Sequence, residues 1–216
     1  MMQIFSYLIN NIQSIQIMKK CLFFIAIFVL VVNYANGQEL TKQMFNIYYG
    51  QPHILVQSNS SMPGSMTIEF DNSGRVLSKS GGNAKMIYEW SSDGTSVEVK
   101  AYDNGQYVMS GMIYIEQMTS DKYKYTADGT LIEVSFRANG TINKITMSGG
   151  GQSISTTYYY NSSEDVFPYS TVTAGGGQSM SVNISDIEKD SKGNCIKYTQ
   201  SFQGQSIVST NNISYY

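Results

Sequence analysis

Apolar and polar residues alternate along most of the chain after residue 37, as in Thr67-Ile68-Glu69-Phe70, Lys122-Tyr123-Lys124-Tyr125 and Ile132-Glu133-Val134-Ser135-Phe136. A period of two with Tyr, Ile, Val and Thr at the apolar positions predicts strands half buried on one face. No apolar pattern of period 3.6 runs longer than about ten residues in this region, so helix should be minor.

Glycines punctuate the strands at regular places. Phe70-Asp71-Asn72-Ser73-Gly74, Trp90-Ser91-Ser92-Asp93-Gly94, Tyr125-Thr126-Ala127-Asp128-Gly129 and Phe136-Arg137-Ala138-Asn139-Gly140 each set an aromatic four residues before a glycine. Ile68, Tyr88, Tyr123 and Val134 stand two residues before those aromatics. Apolar residues return at the second, fifth and seventh positions after the glycine: Leu131, Val134 and Phe136 after Gly129, and Ile142, Ile145 and Met147 after Gly140. Asp, Asn or Ser beside Gly favours a tight turn, because these residues tolerate positive φ. The step from even to odd spacing predicts a bulge that keeps one face apolar. A weaker copy, Ile187 to Gly193, has Lys189 in place of the aromatic, and Cys195 and Tyr198 fill its second and fifth positions. Gly151-Gln152-Ser153-Ile154, Gly177-Gln178-Ser179-Met180 and Gly204-Gln205-Ser206-Ile207 form a second repeat, whose period of about 26 residues suits one hairpin per repeat.

The pattern of aromatic, variable, aromatic, Asp, two variable residues and Gly resembles the tyrosine-aspartate (YD, Rhs-type) repeat. It is also similar to short secreted hairpin-repeat proteins of unknown function common in Bacteroidetes bacteria. Asp190 to Lys197, followed by Gln205 and the closing Ile213-Ser214-Tyr215-Tyr216, carries the resemblance at the C-terminus, and the whole likeness covers Ile68 to Tyr216. It departs from the pattern at Ser91, Thr126 and Lys189. The resemblance implies a structural repeat, sometimes linked to carbohydrate or surface contacts, and transfers no catalytic residue.

The N-terminus reads differently. Met18-Lys19-Lys20 is a short basic region, Cys21 to Val32 is uncharged and apolar, and Ala35-Asn36-Gly37 offers small residues for cleavage before Gln38. These are the parts of a secretory signal peptide, and the apolar run falls short of the roughly 20 residues that span a bilayer. Residues 1–37 are therefore expected to be leader and signal, with a true start at Met18, and residues 38–216 a single exported domain, secreted, periplasmic or at the cell surface. No Cys follows the apolar run, so a lipoprotein is not expected. The expected mature chain carries 16 acids against 12 of the 14 basic residues, a charge of −4. With no basic excess and no Lys/Arg cluster it is not expected to bind nucleic acid. Its single cysteine, Cys195, excludes an internal disulfide, and burial is the expected fate of a thiol in the apolar slot two residues after Gly193.

Candidate chemistry is sparse. His53 is the only histidine, and no Gly-x-Ser-x-Gly elbow accompanies it. One His and one Cys cannot build a structural zinc site, and the Asp71-Asn72-Ser73-Gly74 and Asp103-Asn104-Gly105 stretches lack the alternating acids of a calcium loop. The glycine triplets at 149–151 and 175–177 read as hairpin turns, since neither opens a helix nor carries a phosphate-binding Lys. No catalytic, cofactor-binding or metal-binding residue is assigned. Glu69, Glu89, Glu98 and Glu133 lie on the polar phase of strands, and Asp71, Asp93, Asp128 and Asp190 at turns. A secreted carbohydrate-active hydrolase would need two of them in one cleft. Tyrosines are in excess, and adjacent ones take opposite faces of a strand. With Ile154, Tyr158 and Tyr160 inward, Tyr159 points outward; with Phe45, Ile47 and Tyr49 inward, Tyr48 does. Tyr48 and Tyr159 are the candidate ligand contacts, for a glycan or a cell-surface protein. Five Asn-x-Ser/Thr sites, at Asn59, Asn139, Asn161, Asn183 and Asn212, matter only in a eukaryotic secretory pathway. The expected protein is an all-β antiparallel meander of hairpin repeats with ten to fourteen strands, a closed barrel or an extended twisted sheet, acting by surface binding rather than catalysis.

Overall fold

Fourteen antiparallel strands close into a barrel in the computed structural model, which describes residues 49–127 and 129–216. The leader, the predicted cleavage site and Tyr48 lie outside the described residues. The strands are β1 Pro52–Asn59, β2 Met62–Phe70, β3 Val76–Gly81, β4 Ala84–Trp90, β5 Ser96–Asp103, β6 Gln106–Thr119 and β7 Lys122–Ala127, then β8 Thr130–Phe136, β9 Ile142–Gly149, β10 Gln152–Tyr159, β11 Ser170–Gly175, β12 Gln178–Lys189, β13 Cys195–Phe202 and β14 Gln205–Tyr215. Every strand pairs with its sequence neighbours, and β1 pairs with β14 from Pro52 opposite Tyr215 to Asn59 opposite Ser209. Of the two architectures open to the sequence, the closed barrel is the one adopted, and the strand number is the upper end of the expected range.

Turn chemistry sorts the two ends of the barrel. At one end lie the longer turns 71–75, 91–95, 137–141 and 190–194, each with a backbone bond from the glycine N–H to a carbonyl three residues earlier. Asp71 Oδ1 accepts from the Ser73 and Arg75 amides, and Asp190 Oδ1 from those of Lys192 and Asn194. This is how a short acid replaces missing ladder bonds in a turn. The predicted bulge is present at three of these four turns, where the register slips between Glu69 and Phe70, between Ser135 and Phe136, and between Glu188 and Lys189; after Gly94 the ladder runs unshifted from Trp90 opposite Val97. Each slip returns the second and fifth residues after the glycine to the inner face, which places Val76, Ile142 and Cys195 inside.

Gly129 belongs to the other end. Its φ of 76° agrees with the turn reading, but the strands it joins pair directly from Ala127 to Thr130 without a bulge. The phase after it is therefore unshifted. Ile132 and Val134 face inward, whereas Leu131, expected on the apolar face, pairs with Thr126 and Ser148 on the outer face. The Gly150-Gly151 and Gly176-Gly177 turns lie at this same short-turn end, as does Gly204.

The core fills the lumen from the long-turn end. Leu55, Ile68, Phe70, Val76, Val97, Val99 and Ile113 are fully buried, with Tyr123 and Tyr125 nearly so. Trp90 Nε1 donates to the Val76 carbonyl at 2.9 Å, Tyr160 Oη to that of Ile142 at 2.7 Å and Tyr216 Oη to that of Phe70 at 2.7 Å, so the aromatic rings seal this end. Where Lys189 replaces the aromatic, its Nζ lies 4.8 Å from the ring of Phe167, which the segment between β10 and β11 supplies instead. Cys195 is buried as expected, and desolvation pushes its thiol up to about 11. It should react slowly with iodoacetamide near neutral pH while folded and quickly in denaturant, and Cys195→Val should keep the melting temperature close to that of the wild type. Fast labelling of the folded protein would show an accessible thiolate instead.

Candidate functional site

The lumen is asymmetric. Its wall from β2 to β9 is apolar, whereas β10 to β14 and β1 turn Thr156, Thr173, Gln200, Ser209, Asn211 and Gln57 inward. These polar residues satisfy one another across the strands: Thr156 and Thr173 hydroxyls lie 2.9 Å apart, and Gln57 Nε2 donates to Asn211 Oδ1 at 3.1 Å. Eight strands make a barrel that side chains can fill, and sixteen leave a water channel. Fourteen is close to the second case, and the excess width shows at the short-turn end.

There, side chains that the ladders direct inward remain exposed. Ile154 is 48% exposed, Met180 41% and Met109 39%. Ile154 pairs with Met147, Met180 with Thr173, and Met109 with Ala101, all on the inner face. The Gly-Gln-Ser repeat builds one side of this mouth. In each copy the glycine closes the turn, Gln faces inward at the rim, Ser faces outward, and the following Ile or Met faces inward, giving Ile154, Met180 and Ile207. The outward Ser153 and Ser206 meet Ser148 and Ser201 across the hairpin. Methionine from β2, β4, β6, β9 and β12 gives the inner wall adaptable, polarisable contacts.

One cation enters this apolar wall. Lys79 pairs with Ile68 on β2 and Met86 on β4, both packed in the core, so its side chain faces the lumen. It occupies the fifth position after Gly74, the slot that Ile145 and Tyr198 take after Gly140 and Gly193. Desolvation by burial pulls its ammonium down to about 8. Among the described residues it has no ion-pair or hydrogen-bond partner. Tyr123 and Tyr125 hydroxyls are also buried without a hydrogen bond, and burial pushes that of Tyr125 well above its ordinary value.

The outer wall carries ion pairs and, on β6, the exposed apolar residues Val108, Met112 and Tyr114. Lys100 bridges Glu89 at 2.7 Å and Glu98 at 3.6 Å, Lys124 bridges Glu116 at 3.2 Å, and Lys197 bridges Glu188 at 2.5 Å. Glu69 accepts from Ser78 Oγ at 2.6 Å. An outer groove of about 250 Å³ is lined by Met118, Lys122, Glu133, Ser135, Lys144 and Thr146, with Glu133 its one acid.

Tyr159 stands on the outer face, 42% exposed, as the alternation requires, and Tyr158 lies half-buried on the inner one, packed against the core. The exposed ring of Tyr169 follows closely, its N–H donating to the Tyr159 carbonyl at 2.9 Å. His53 is exposed and stacks on Tyr216 with ring centroids 4.5 Å apart. Among the described residues no three His, Cys, Asp or Glu side chains gather to hold a metal ion. Among the described residues there is no helix long and apolar enough to cross a membrane.

Sequence reasoning missed Lys79 and the exposed inner rim. The signal for Lys79 was its position in the glycine-anchored repeat, where a charged residue stands in an apolar slot. The Gly-Gln-Ser copies were legible as a period but not as the wall of an opening.

The class defined by these features is a closed antiparallel barrel whose lumen is apolar on one side and polar on the other. No family model matches the sequence, and no curated protein does. Among solved structures, the chain is similar to a porin-like protein from Bacteroides vulgatus ATCC 8482, at 9% identity and a TM-score of 0.44, covering 76% of this chain and 99% of that one. A porin-like protein from Bacteroides uniformis ATCC 8492 aligns at 8% identity and a TM-score of 0.28, covering 74% and 95%. At these scores neither likeness bears on function.

Proposed function

We propose that the protein is an exported, non-catalytic binding module whose working surface is the open mouth at the short-turn end. The observation that carries this reading is the exposure of Ile154, Met180 and Met109 on the inner face, where a closed core would have buried them. The outer wall is mixed: the Lys–Glu pairs of β4 to β7 and of β12 and β13 suit contact with water, and β6 adds an exposed apolar strip of Val108, Met112 and Tyr114. Export follows from the leader, with residues 1–37 removed and residues 38–216 forming one domain of YD-like hairpins. Tyr159, with Tyr169 beside it, offers a second, outer contact for a glycan or a cell-surface protein.

The rival reading, a carbohydrate-active hydrolase, draws less support. Glu69, Glu89, Glu98, Glu116, Glu133 and Glu188 all sit on the outer wall, and the concave outer groove holds a single acid. A glycosidase sets two carboxyls across one bond.

Nile red, a neutral apolar dye, should brighten and shift blue on mixing with the purified protein. The Ile154→Asp/Met180→Asp double variant, with an unchanged far-ultraviolet spectrum, should lose that response. An equal response from both proteins would remove the mouth from the reading, and release of reducing ends from incubated polysaccharides would favour the hydrolase.

A further inference from the structure

We infer that Lys79 is the head-group anchor of a lumenal site for single-chain amphiphiles that carry one anionic group, such as a fatty carboxylate; the inference rests on the mouth being a binding surface. Three observations converge on it.

The first is placement. Lys79 lies one inward position below the rim residue Gly81 on the same strand, in the row Ile68, Lys79, Met86, beneath the row Met66, Gly81, Ala84. Gly81 has no side chain and Ala84 a single methyl, and both are exposed, so nothing on β3 or at its β4 partner covers the approach from the mouth. A Cβ on Gly81 would meet the Ser65 carbonyl oxygen at 3.3 Å and the Met66 Cα at 3.6 Å. The notch is therefore cut between two strands by the absence of that atom.

The second is the missing partner. Burying an ammonium away from water is unfavourable unless an anion meets it. Lys100, Lys124 and Lys197 on the outer wall all have a carboxylate, whereas Lys79 has none among the described residues. At the exposed rim Asp103 pairs in register with Ala84 and forms no ion pair with Lys79. A bound carboxylate would supply the countercharge that the protein withholds.

The third is the surrounding chemistry. Ile68 and Met86 flank the lysine, and the exposed Met109, Ile154 and Met180 line the mouth. Apolar contacts around one cation recognise an anionic head with an alkyl body.

The test is calorimetric titration of the purified protein with dodecanoate, dodecanol and acetate, each below its aggregation threshold. Wild type should bind dodecanoate at least tenfold more tightly than dodecanol and should show no heat with acetate. Lys79→Met should lower dodecanoate affinity to the dodecanol level while leaving dodecanol unchanged, and Lys79→Arg should restore most of it. Equal dodecanoate binding by wild type and Lys79→Met would overturn the anchor and leave the mouth reading standing. Failure of wild type to bind either twelve-carbon ligand would overturn both. A fold check comes from the unligated melting temperature, which Lys79→Met should raise rather than lower.

Discussion

Replacing Lys79 with Met should stabilise the unligated protein by up to about 3 kcal/mol at pH 7, because a lysine held near 8 instead of 10.5 disfavours the folded state by that order. The sign follows from proton counting. Between about pH 8 and 10.5 the unfolded chain keeps the proton that the folded chain has released, so wild-type stability rises with pH through this window as the penalty is relieved. Below pH 8 the penalty is present in full. Tyrosines oppose the trend above pH 10: Tyr88, Tyr125 and Tyr158 are all raised by desolvation, and the unfolded state gains their ionisation first. Comparing urea midpoints of wild type and Lys79→Met across pH 7 to 10 isolates the lysine. A gap between the two that does not narrow with pH would show that the ammonium is solvated in the folded protein.

Asn194→Leu should cost about 3 kcal/mol. Asn194 is fully buried, and its amide grips the start of the described chain from both sides. Oδ1 accepts from the Tyr49 N–H at 2.7 Å, and Nδ2 donates to the Tyr49 carbonyl and to Tyr215 Oη, each at 2.7 Å. Tyr215 in turn donates to Asp190. One side chain thus joins the β12–β13 turn to the segment leading into β1 and to the end of β14. Leucine matches its size but strands the Tyr49 backbone groups, whereas Asn194→Ala adds a void and should cost no less. Thermal unfolding of Asn194→Leu at the wild-type midpoint would mean that water replaces the amide without penalty.

What the sequence disclosed was local. The aromatic, Asp and Gly of Phe70 to Gly74 and their copies define a turn within five residues, and the following bulge declares itself as a change of apolar spacing. Hairpins, strand faces, the burial of Cys195 and the outward ring of Tyr159 all follow from such short-range rules. Leu131 was misassigned because Gly129 shares the motif's spelling but closes a turn with no bulge, and one residue of phase reverses a strand's faces. Closure was beyond local rules, since nothing within Pro52–Asn59 states that its partner is the last strand. The mouth was equally hidden, because exposure of Ile154 and Met180 depends on the barrel's girth, a property of all fourteen strands together.

The seam between β1 and β14 also sets an order of events in folding. Every other ladder joins neighbours in sequence and can form as soon as its hairpin is complete. The seam alone must wait for the final residues, Gln205–Tyr215, and close a loop of nearly the whole described chain. Until then β1 stands as a bare edge, with unpaired N–H and C=O groups from Ile54 to Asn59 available to any other strand. Loss of even the last ten residues would leave an open, adhesive sheet, so C-terminal proteolysis should convert a monodisperse protein into one that associates edge to edge.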